Sequence, residues 1–107
     1  MSVELNELQK WKVELKVEKE ELEKINNEVK EEVERLKIRL DTLEVASWSW
    51  RISDPKAAES FSKQASGARA TLEQKEADFK IKNREIQARV NEIERLLTTI
   101  EARIAQV

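Results

Sequence analysis

Apolar residues recur at a strict seven-residue spacing in both halves of the chain. In the first half they are Leu8, Leu15, Leu22, Val29, Leu36, Leu43 and Trp50. In the second half they are Ala58, Ala65, Leu72, Phe79, Ile86, Ile93, Ile100 and Val107. A seven-residue apolar repeat keeps one side of an α-helix turned toward a partner helix. The pattern therefore predicts two long helices that bury these seams against each other.

A second apolar row supports the seam of the first helix. It consists of Trp11, Ile25, Val33 and Leu40, and Glu18 interrupts it once. The step from Ile25 to Val33 is eight residues, a drift that lets a nearly straight 3.6-residue helix stay in phase with its partner. We therefore expect Trp11 to fill the core, packed against Leu97.

The boundary between the helices is marked by Ser53, Asp54 and Pro55. Aspartate can cap a helix N-terminus, and proline suits the first helical position, where no N–H donor is needed. Ser2 can cap the first helix in the same way. The resulting division is one domain over 1–107, with helix 1 at about 3–50, a turn at about 51–54 and helix 2 at about 55–106.

An alternative exists for Ser47–Ser53, because Trp48, Trp50 and Ile52 alternate with polar residues, which is the period of a β-strand. A lone strand would have to pair with another copy of the chain. We favour the helical interpretation.

Folding the chain back at the turn predicts an antiparallel register in which the numbers of facing residues add up to 108. Every layer is then apolar on both sides; for example, Leu15 faces Ile93 and Leu43 faces Ala65. The predicted fold is an all-α, antiparallel two-helix coiled-coil hairpin. Because a two-helix seam buries little area for its length, we expect two hairpins to pair into a four-helix bundle.

Composition supports this fold and argues against chemistry. Charged residues make up 39% of the 107 positions, with one Gly and one Pro, which is typical of long helices. The chain contains no Cys and no His, so it offers no thiolate metal site and no imidazole base. Carboxylates on a helix surface do not converge on a metal ion. We expect no catalytic residue, no metal site, no cofactor and no enzymatic activity.

The charge balance also limits the choice of partner. The 22 acidic and 20 basic residues give a net charge of −2, which predicts no general attraction to nucleic acid or to an acidic membrane. No N-terminal apolar segment and no long apolar run is present, so we expect a soluble, cytoplasmic protein without a signal peptide or transmembrane helix. Leaderless secretion stays compatible with this pattern.

Three polar residues fall at or near the seam, namely Glu18, Lys75 and Asn83. One interpretation is that their stems lie along the seam while their polar ends reach water. The other is control of the helix register, because a buried polar residue loses its partner in any other alignment.

The best candidate for function lies near the turn. Ile38, Val45 and Ile52 form an apolar row off the seam, where a two-helix hairpin cannot bury them, and Trp48 lies beside it. The expected partner interface consists of Ile38, Val45, Trp48, Trp50, Arg51, Ile52 and Phe61. Tryptophan and arginine are enriched at the energetic centres of interfaces. The alternative is that Trp48 and Trp50 only close the hairpin over the small residues of helix 2.

The plan of the chain resembles that of the WXG100 proteins of type VII secretion. The residues that carry the resemblance are Ser47-Trp48-Ser49-Trp50, followed by Ala57, Ala58 and Phe61. That family consists of cysteine-free helical hairpins with a Trp-x-Gly turn, which pair into four-helix bundles and travel with larger secreted substrates. This chain has Trp50 at the glycine position and no Tyr for the family's C-terminal export motif.

We expect a non-enzymatic protein-interaction module with an assembly, adaptor or chaperone-like role. Its expected partner is a protein, in a homodimer or a helical hetero-complex. The resemblance implies a second possibility, a small helical partner of a type VII secretion substrate. A third possibility is binding of nucleic acid or a membrane surface through the turn, where Arg51, Lys56, Lys63 and Arg69 accompany the tryptophans.

Overall fold

The computed structural model describes residues 2–107 and consists of two α-helices, α1 (Val3–Ser49) and α2 (Pro55–Gln106). Residues 50–53 form the turn that joins them. No strand occurs within residues 2–107, so the strand interpretation of Ser47–Ser53 is wrong. The predicted all-α helical hairpin is confirmed, while pairing of hairpins into a four-helix bundle stays a prediction.

Both helices begin at the predicted caps. The Leu5 N–H donates to Ser2 Oγ at 3.1 Å, and the Ala57 N–H donates to Asp54 Oδ1 at 3.2 Å. Each contact satisfies a backbone donor that has no partner within its helix. Pro55 is the first residue of α2, where its missing N–H costs nothing.

The helices pack in two compact units. The terminal unit joins the segment that ends at Asn27 to Lys82–Val107, and the turn unit is Glu28–Ile81. In the terminal unit, Leu8, Leu15, Ile93 and Ile100 form the buried core, and Leu22, Leu96, Leu97 and Ile104 pack against it. Ile93 is fully buried. This cluster contains both members of two predicted layers, Leu8 with Ile100 and Leu15 with Ile93.

The turn unit has a core of its own. It consists of Val33, Leu40, Ala65 and Leu72, with Leu36, Leu43, Ala68 and Phe79 packed against it. Leu36 and Leu72 share this cluster, as do Leu43 and Ala65, in agreement with the predicted register. Large residues of α1 lie with the small residues Ala65 and Ala68 of α2, so the two helices can approach closely here.

The predicted second row of α1 is wrong in the terminal unit. Trp11 is 40% exposed and Ile25 is 41% exposed, so Trp11 does not fill the core. Leu5, Lys12, Lys19 and Asn26 are partly buried there, next to the seam. These positions continue, in strict steps of seven residues, the phase of Val33 and Leu40. Trp11 and Ile25 lie one residue, or about 100°, off this phase.

Ion pairs explain how lysines occupy the second row. Lys12 Nζ lies 3.4 Å from Glu101 Oε1, and Lys19 Nζ lies 3.3 Å from Glu94 Oε1. A lysine stem can cover apolar surface while its ammonium group stays partly hydrated and meets a carboxylate. The ammonium groups of the two lysines therefore point away from the seam, while their methylene groups cover its apolar residues.

On other positions of the terminal unit the charges are reversed, with the acid on α1 and the base on α2. Arg103 Nε donates to Glu4 Oε1 at 2.7 Å. Arg89 Nε and Nη2 donate to the two carboxylate oxygens of Glu18 at 2.6 and 3.2 Å. These hydrogen bonds hold the pKa of Glu18 below its ordinary value, and together with a bond to Glu92 they raise the pKa of Arg89.

The three polar residues near the seam thus have different surroundings. Glu18 is paired with Arg89, and Lys75 Nζ lies 3.2 Å from Glu32 Oε1. Asn83 is partly buried. Control of the register by these residues stays a prediction.

Candidate protein interface in the turn unit

Four large apolar side chains of the turn unit are exposed. They are Ile38 at 65%, Val45 at 63%, Trp48 at 65% and Ile52 at 80%. We call this set the outer face. Val45 follows Ile38 by seven residues and Trp48 follows Val45 by three, so these three lie on one side of α1. The seam residues Leu36, Leu40 and Leu43 lie on the opposite side, because they face α2.

Trp48 is held in place by Arg51. The Arg51 guanidinium carbon lies 3.5 Å from the centroid of the Trp48 ring, and Arg51 Nη1 donates to the Trp48 carbonyl at 2.8 Å. The first contact is a cation–π interaction. The second adds to the hydrogen bond that the same carbonyl, at the end of α1, accepts from the Arg51 backbone N–H at 3.4 Å. One side chain thus caps the helix and covers one side of the indole ring.

The turn itself is closed by backbone hydrogen bonds. The Trp50 N–H donates to the Ala46 carbonyl at 3.1 Å, and the Asp54 N–H donates to the Trp50 carbonyl at 2.9 Å. Asp54 then begins α2, because the Ala58 N–H donates to its carbonyl at 3.0 Å. Trp50 and Ile52 therefore stand on an ordered turn between two capped helices.

The other predicted interface residues contribute less surface. Trp50 lies beyond the end of α1 and is 50% exposed. Phe61 is partly buried and lies seven residues before Ala68, which packs on the turn-unit core. Trp48 does not close the hairpin over α2, because most of the surface of its side chain is exposed.

A groove of small polar residues lies between α1 and α2 in the same unit. It is lined by Glu44, Ser47, Ser62, Ala65, Ser66 and Arg69. Arg69 Nη2 donates to Glu44 Oε1 across the helices at the edge of this groove. Gly67 lies nearby on α2, and a Cβ added there would meet nothing within 4 Å. Within the described chain, no close helix contact therefore requires a glycine at this position.

The basic residues near the turn are largely engaged. Arg69 is paired with Glu44, Lys63 Nζ lies 3.4 Å from Glu59 Oε1, and Arg51 stacks on Trp48. Of the four cations that suggested nucleic-acid or membrane binding, Lys56 alone has neither an ion pair nor a ring contact within residues 2–107. Two of the four cations are therefore paired with carboxylates, whereas Arg51 and Lys56 have no acidic partner among the described residues.

Exposed apolar residues also occur in the terminal unit, where none were predicted. Val3, Val13 and Val17 are each at least half exposed. The spacing of two of them could have predicted their exposure, because positions 3 and 17 differ from 38, 45 and 52 by multiples of seven. Charged residues separate them along α1, so they form no continuous apolar row.

Comparisons with family models, with curated proteins and with solved structures gave no match. The class of protein is defined by the fold and the exposed residues: it is an all-α helical hairpin with an apolar outer face. Within residues 2–107, neither helix has a stretch long and apolar enough to cross a membrane. The described residues contain no group of three or more His, Cys, Asp or Glu side chains that could hold a metal ion.

Proposed function

We propose that this chain is a non-enzymatic protein-interaction module that binds its partner through the outer face. The observation that carries this proposal is the concentration of Ile38, Val45, Trp48 and Ile52 at the surface of one unit, each more than 60% exposed. Contiguous exposed apolar patches on soluble proteins mark sites of association. The role that we infer from such a face is that of an assembly, adaptor or chaperone-like module.

The chemistry of the face supports a protein partner. Arg51 already covers one side of the Trp48 ring, so this indole is less free to stack on a nucleic-acid base. The cation–π contact also limits the freedom of both side chains before binding, which lowers the ordering cost of association. Rigid aromatic anchors beside arginine are frequent energetic centres of protein interfaces.

Site-specific photo-crosslinking tests the proposal. A photoreactive amino acid replaces Val45 in the outer face, and in the control it replaces Val13, which is 61% exposed in the terminal unit. We expect Val45 to yield covalent protein adducts of defined mass in the native host. The added change Trp48→Ala should reduce the yield at least fivefold. Equal adducts from Val45 and Val13 would contradict the proposal.

The competing ligands are tested with the purified chain. Fluorescence anisotropy with single- and double-stranded DNA, and co-sedimentation with anionic vesicles, are measured at low and high salt. We expect no binding of DNA or of vesicles that depends on Arg51, so Arg51→Glu should behave like the wild type. A salt-sensitive affinity lost in that variant would favour nucleic-acid or membrane binding instead. A role as a WXG100-like secretion partner and a cytoplasmic location stay predictions from the sequence.

A further inference from the structure

We draw no further inference here: the strongest candidate, the outer face of the turn unit formed by Ile38, Val45, Trp48 and Ile52, belongs to the interface already proposed, and nothing in the structure shows what covers it.

Discussion

Replacing Asn26 by leucine is expected to stabilise the hairpin. Asn26 lies in the second row of α1, and its Oδ1 is buried without a hydrogen-bond donor among the described residues. It lines a groove whose apolar members are Ile86 and Val90 of α2. A buried polar atom without a partner costs about 1–3 kcal/mol, and a leucine side chain would contact these two residues instead.

The magnitude follows from these two contributions. Removal of the unpaired carbonyl and partial burial of the leucine should together raise the free energy of unfolding by about 2 kcal/mol. For a chain of this size, each kcal/mol shifts Tm by about 4–8 °C, so Tm should rise by about 8–16 °C. The gain does not include helix propensity, which contributes a few tenths of a kcal/mol and which the control also receives.

Asn27→Leu is the matched control, because Asn27 is the next residue on the same helix and is exposed. It should change the free energy of unfolding by less than about 0.5 kcal/mol. Urea denaturation followed by circular dichroism, at one fixed protein concentration, gives both values. An Asn26→Leu variant that is no more stable than Asn27→Leu would refute the assignment of Asn26 to a costly buried position.

Three further predictions concern stability. Gly67→Ala should raise the free energy of unfolding by about 0.5–1 kcal/mol, because the added Cβ meets nothing within 4 Å in a helix interior; a loss in thermal denaturation would contradict this. Ile93→Ala should cost about 2–5 kcal/mol at a fully buried position, whereas Ile81→Ala, at 59% exposure, should cost little in the same urea titration. Glu18→Gln should lower Tm at neutral pH. Since the folded-state pKa of Glu18 lies below its unfolded value, the wild-type advantage is full above the ordinary glutamate pKa and is lost as pH falls through the folded pKa; a Tm difference that persisted in acid would contradict this.

The sequence also predicted part of the candidate interface. The seven-residue spacing of Ile38, Val45 and Ile52 placed them off the seam, and their exposure agrees with that placement. The spacing did not indicate the stacking of Arg51 on Trp48, because that contact depends on how α1 ends in the turn. It also did not separate Phe61, which is partly buried, from the exposed members of the set.

Local rules in the sequence were sufficient to determine the two helices, their caps at Ser2 and Asp54, and the seam that contains Leu15 and Ile93. Helix propensity, capping and a seven-residue repeat act over a few turns, so they can be recognised without knowledge of the partner helix. The choice between Trp11 and Lys12 was decided by tertiary structure. Neighbouring residues differ by about 100° around a helix, and the phase that α2 imposes on α1 decides which of the two faces it. A lysine with a carboxylate partner can occupy that position at low cost, so hydrophobicity alone predicted the wrong residue.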